Sequence, residues 1–288
     1  KVQSCRDGKT KVAEFSKGLI TNDYKESKTE EGNGTTIVFR PDNEIFKKYR
    51  FRSEFLENQL WNYAYLNPGL KILFNGQIFH SKNGLLDLLE DKNPPDTLRY
   101  PIIHLSGHDI EIAFSHGSQY GEQYHSFVNG QNTTQGGTHL AAFKESVVQT
   151  IRTHFNKSFD PRDVRASIIA AVSIRVEEPI FESQTKTKLG STEMGPKGPS
   201  VRSFMNDFIK EKLDNYLHKN TQTAEAILKR IQQSERERTE MAGIKKLANQ
   251  RAKKANLHNK KLRDCKVHFN QSGKNADQEL LKATTLFI

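Results

Sequence analysis

The chain has 288 residues, with 44 Lys and Arg against 34 Asp and Glu, a net charge of +10. That length predicts two domains, and 35% hydrophobic with 27% charged residues predicts a polar globular protein. The longest nearly apolar run, Ala166 to Ile174, is far short of the ~20 residues of a membrane-spanning helix, and no apolar signal-peptide core follows Lys1. Two cysteines, Cys5 and Cys265, make neither a disulfide framework nor a metal site and suit a reducing cytosol.

In chain order, Asp7-Gly8 predicts a hairpin between Lys1–Arg6 and Lys11–Phe15, and Thr35 to Phe39 reads as a strand ended by Pro41. Phe51 to Leu66 has a helical period and stops at Asn67-Pro68-Gly69. A second hairpin turns at Asn75-Gly76, and a short helix covers Gly84 to Leu89. Asp91 to Asp96, with two prolines, is the best linker candidate. Strands follow at Ile102–Leu105, Ile110–Phe114 and Gln123–Val128. Gly136-Gly137 leads into a helix with Leu140, Phe143, Val147, Ile151 and Phe155 on one face. Ser167 to Val176 reads as a strand buried on both faces, and Glu182 to Lys197 as a loop. Ser200 caps a helix whose apolar face runs from Val201 to Leu217. A last helix, Ala224 to about Leu257, has so thin an apolar face that it should protrude. The charge is concentrated there: Lys229 to Lys266 holds 13 basic and 4 acidic residues, and the rest of the chain is nearly neutral. Such a segment suits a polyanion partner, or it is a solvated helix face. Both chain ends read as lying inside folded structure, as in a piece of a larger protein.

Four short motifs in order carry a resemblance. Phe127-Val128-Asn129, Asn132-Thr133 and Gly136-Gly137-Thr138-His139 resemble the F-V-N…N-T…G-G-T-H run of bacterial type IIA topoisomerase ATPase subunits, the B subunits of DNA gyrase and topoisomerase IV. Gln184-Thr185-Lys186 resembles their Q-T-K loop. Arg251 to Ala255 and Lys261 to Cys265 resemble the basic stretch leading to their TOPRIM domain, and Asn33-Gly34-Thr35 resembles the last nucleotide motif of their GHKL ATPase domain. The overall look is closer to topoisomerase IV.

The resemblance implies an α+β fold. Residues 1–92 would be the C-terminal part of a GHKL ATPase domain. Residues 93–245 would be a transducer domain, ribosomal-protein domain-2-like with a left-handed βαβ crossover. Residues 246–288 would be the end of a long basic helix and a linker into TOPRIM. It also implies ATP as ligand, with Mg²⁺ held by parts of the protein outside this sequence. Lys186 would meet the γ-phosphate as a compact cation, Gln184 would be a neutral donor to the same group, and Thr35 would lie near the adenine. Lys229, Arg230, Arg236, Arg238, Lys245, Lys246, Arg251, Lys253 and Lys254 would be candidate DNA phosphate contacts, which position a duplex without reading sequence. Implied partners are double-stranded DNA, the DNA-cleaving A subunit of the same topoisomerase and a second copy of the ATPase subunit, in a bacterial cytoplasm and with no membrane. Gly136-Gly137 lacks the Gly-Lys-Ser/Thr of a phosphate-binding loop and reads better as a tight turn. Glu54-x-x-x-Asn58 has the spacing of a GHKL catalytic helix but lacks the glycine motifs that accompany it, so this sequence alone is expected not to hydrolyse ATP. No histidine motif indicates a metal site. Two alternatives remain at this point: a mismatch-repair or chaperone-type GHKL protein, and a non-enzymatic basic nucleic-acid-binding module.

Overall fold

Turn chemistry builds the first strands. Asp7 (φ 52°) and Gly8 (φ 74°) connect β1 (Val2–Arg6) to β2 (Lys9–Ser16), and Lys17 and Gly18 repeat the device before β3 (Leu19–Asp23). Successive positive-φ residues match the twist of a two-residue hairpin. With β4 (Ser27–Lys28) and β5 (Gly34–Ile37) they form a sheet of order β3-β2-β1-β5, β4 pairing with β2. Asp42 caps α1 (Asn43–Phe46) by accepting from the Glu44 amide at 2.7 Å, and α2 (Ser53–Leu66) follows. The computed structural model describes residues 1–258, with side chains to Ala252. Cys265, the stretch from Lys261 to Cys265 and the final Leu286-Phe287-Ile288 lie outside the described residues.

Two compact units divide between Trp61 and Asn62, within α2, ahead of the expected 92/93 division. The reason is packing. The short helix expected at Gly84 to Leu89 is α3 (Leu85–Lys92), which takes in Asp91 and Lys92 of the linker candidate; its Leu85, Leu88 and Leu89 are fully buried, and the Leu85 amide donates to Glu111 Oε1 at 2.8 Å.

In the second unit β6 (Lys71–Phe74) and β7 (Gln77–His80) form the hairpin expected at Asn75-Gly76. Then β8 (Ile103–Gly107), β9 (Ile110–His116), β10 (Gln123–Val128), β11 (Gln131–Asn132) and β12 (Ile168–Ile174) make one sheet of order β11-β10-β12-β9-β8. The parallel pair β10/β12 is bridged by α4 (Thr138–Phe155) and α5 (Pro161–Arg165), a βαβ crossover. β12 lies between β10 and β9, which explains its nearly unbroken apolar run. Ile168, Ala170, Val172 and Ile174 face a core shared with α4, α6 (Val201–Lys219) and α7 (Thr221–His258). The alternate residues, with Glu111 and Ala113 of β9, face the α3 side. The Ser200 side chain caps α6 by accepting from the Ser203 amide at 3.0 Å. In α7, Ile227 and Ile231 are fully buried, whereas Met241, Ile244 and Leu247 are exposed, so the distal half of the helix stands clear of the core.

Candidate functional site

The Gln184-Thr185-Lys186 segment is the tip of a two-armed loop. Phe181 and Leu189 form an antiparallel bridge, the Glu182 amide donates to Lys188 O at 3.1 Å, and the two side chains form an ion pair at 2.8 Å. Beyond that pair the Lys186 amide donates to Ser183 O at 3.0 Å, closing a tight turn over Gln184 and Thr185. The Ser183 and Thr185 hydroxyls share a hydrogen bond at 2.8 Å. Lys186 takes φ 55°, a left-handed conformation uncommon for a residue with a side chain and often found in functional loops. Gln184, Thr185 and Lys186 are all exposed.

The returning arm is seated on Gly136-Gly137. Leu189 N donates to Gly136 O at 3.0 Å, Thr138 N to Leu189 O at 3.2 Å, and Gln135 N to Thr187 O at 2.9 Å. Gly137 has φ 134°, and a Cβ there would stand 2.4 Å from Leu189 O and 2.6 Å from Leu189 N. No side chain fits between the two backbones. Thr138 Oγ1 adds a bond to Ser191 O at 2.6 Å. The glycine pair is thus the turn into α4, as expected, and also the seat of the loop.

The outgoing arm is held by Asn129. Asn129 (φ 49°) and Gly130 (φ 77°) form the turn between β10 and β11. The Asn129 side-chain amide donates to Val176 O and accepts from Val176 N, both at 2.8 Å, just after β12 ends. Behind this turn Ser126 Oγ donates to Thr133 O at 2.7 Å, and His139 Nε2 lies 3.3 Å from Thr133 Oγ1. Burial pushes the His139 imidazole down to about 4. Asn129 and the Gly136-Gly137-Thr138 run therefore hold both arms of one loop, and Thr133 braces the turn between them. The receiving groups, Val176, Leu189 and Ser191, had no signal in the sequence, because they take part through their backbones.

The remaining site residues fall elsewhere. Thr35 is exposed on β5, opposite Ser4 of β1, in the first unit. Along α7, two of the basic candidates are committed to the fold. Arg238 makes a two-pronged pair with Asp163, Nε at 3.0 Å and Nη2 at 2.8 Å, and Asp163 is only 3% exposed. Arg230 Nε donates to Ser167 Oγ at 2.9 Å, with its side chain 10% exposed. A buried carboxylate and a buried hydroxyl hold these two, so in this structure they anchor α7 to the fold. Lys229, Arg236, Lys245, Lys246 and Arg251 are exposed. Lys253 and Lys254 lie on α7, but their side chains are outside the described residues.

The fold is that of the ATPase regions of type II topoisomerases. The 43K ATPase domain of Thermus thermophilus gyrase B aligns with a TM-score of 0.68 at 24% identity, over 85% of this chain and 70% of that one. The topoisomerase IV ATP-binding domain of Francisella tularensis aligns with a TM-score of 0.65 at 23% identity, over 83% and 69%. The chain belongs to the DNA gyrase B family, whose model matches residues 82–263. The B subunit of DNA topoisomerase 4 from Borreliella burgdorferi is 41% identical over 98% of this chain and 46% of its own length. The B subunit of DNA gyrase from Cytophaga aurantiaca is 30% identical over 80% of this chain and 52% of its own. The chain thus spans about half the length of these curated relatives.

Proposed function

We propose that this chain is the ATPase-side portion of the B subunit of an ATP-dependent type IIA DNA topoisomerase, and that it carries the transducer. Residues 1–92 would then complete the ATP-binding domain and 93–245 form the relay. In this reading Lys186 and Gln184 meet the γ-phosphate of ATP. Thr35 lies near the adenine, and Mg²⁺ is held by residues outside this sequence. A compact ammonium on an exposed tip suits a terminal phosphate, and a loop that touches only that phosphate loses its partner on hydrolysis. The basic face of α7 guides the transported duplex, and strand cleavage belongs to the A subunit.

The observation that carries this reading is the loop itself: an exposed lysine in a left-handed tip, with both arms fastened to the domain by Asn129 and Gly136-Gly137. A tip so held can pass a pull from the phosphate into β12 and α4. Crosslinking in the full-length protein tests it. Engineered cysteine pairs across the dimer gate should close on adding a non-hydrolysable ATP analogue, and Lys186→Ala should lose that response. Equal closure in the variant overturns the reading.

A further inference from the structure

A second cluster lies on the helical layer, on α4 and α6. α4 and α6 run parallel: Arg202 at the start of α6 pairs with Glu145 in the middle of α4, and Asp214 further along α6 pairs with His154 near the end of α4. His154 Nδ1 is 2.8 Å from Asp214 Oδ1, and His218 Nε2 is 3.5 Å from Asp214 Oδ2. The two imidazole rings are 4.6 Å apart between centroids. One ligand atom from each of the three residues lies within 4.8 Å of the others. Two imidazole nitrogens and one carboxylate are thus gathered at one point by two helices. Asp214 and His218, four residues apart, share a face of α6, and His154 reaches across from α4.

We propose that His154, Asp214 and His218 form a site for a divalent transition ion of the zinc class. Two nitrogen donors favour zinc and its neighbours over calcium or magnesium, which prefer all-oxygen sets. Tetrahedral zinc with bonds of about 2.0–2.2 Å separates its ligand atoms by roughly 3.4 Å, so a small rotation of the His218 ring completes the set. That ring can rotate, because its side chain is 68% exposed; Asp214 is 41% exposed and His154 10%. His154 and His218 each lie in the last turn of a helix, where the carbonyl ends of two aligned dipoles favour a cation. The exposed side leaves a fourth position for water. Bound there, the ion clamps the end of α6 to α4, just before Asn220, where α6 gives way to α7.

The test is a titration of the chelator-treated full-length protein with Co²⁺, read by its visible absorption, followed by displacement with Zn²⁺. The parent protein should show a Zn²⁺-displaceable site and a thermal midpoint that rises with Zn²⁺. His218→Ala, at an exposed position that should keep the fold, and Asp214→Asn should each weaken binding at least about tenfold and remove the rise. If both variants bind Co²⁺ and Zn²⁺ as tightly as the parent, or the parent binds neither, the proposal is overturned.

Discussion

Gly137 shows how one missing side chain can place a loop. Its φ of 134° and the 2.4 Å approach to Leu189 O leave no room for a methyl group. Gly137→Ala should destabilise the protein by on the order of 2 kcal/mol or more and lift the returning arm from its seat. Chemical denaturation gives the first number, and faster tryptic cleavage at Lys186 or Lys188 reports the second. His116 makes a different prediction at the same scale. It is fully buried, accepts at Nδ1 from the Tyr100 hydroxyl (2.6 Å) and donates from Nε2 to Val164 O (2.8 Å), the pattern of a neutral ring. Burial holds its pKa down to about 4, against an ordinary 6.5. The unfolded chain therefore binds the extra proton first. The contribution of His116 is fully present above pH 6.5 and is lost as pH falls from there to about 4, at most about 3 kcal/mol in all. A stability–pH profile of the parent should slope more steeply over that window than one of His116→Gln.

At the scale of elements, α7 divides into an anchored half and an extended half. Ile227, Ile231, Arg230 and Arg238 fasten the first, while Met241, Ile244, Leu247, Lys245 and Lys246 of the second face solvent. Substitutions should separate the two roles. Arg238→Ala takes both prongs of the ion pair from the buried Asp163 carboxylate, leaving it the Ser234 hydroxyl at 3.2 Å, and should lower the thermal midpoint. Lys245→Ala with Lys246→Ala should leave the midpoint alone, weaken duplex DNA binding and flatten its log–log salt dependence by about 2. The elements themselves were largely legible. Both Asx-Gly hairpins, the continuous strand β12 and the Ser200 cap follow from local chemistry that tertiary packing does not override. The packing of α3 was less legible, because a proline-rich stretch marks a turn without showing what the preceding helix packs on. The roles of Arg230 and Arg238 were hidden for a similar reason: their partners, Ser167 and Asp163, lie 63 and 75 residues away. The His154–Asp214–His218 cluster is half visible, since Asp214 and His218 share a helix face but His154 comes from another helix.

For the whole molecule, family membership and fold place the chain with the ATPase regions of type II topoisomerases. The candidate site was legible in the order of its motifs, while their common purpose was not. Asn129 takes part through its side-chain amide, Gly137 through the room its missing side chain leaves, and Leu189 and Val176 through their backbones, so only the folded chain joins them around Lys186. The proposed relay depends on that lysine meeting a terminal phosphate. The most direct test is steady-state ATP turnover by the full-length protein carrying Lys186→Ala, with folding checked by circular dichroism. Turnover should fall about 100-fold or more while the fold survives, in the range seen when a group that stabilises transition-state charge is removed. Near-normal hydrolysis by a folded variant would contradict the account.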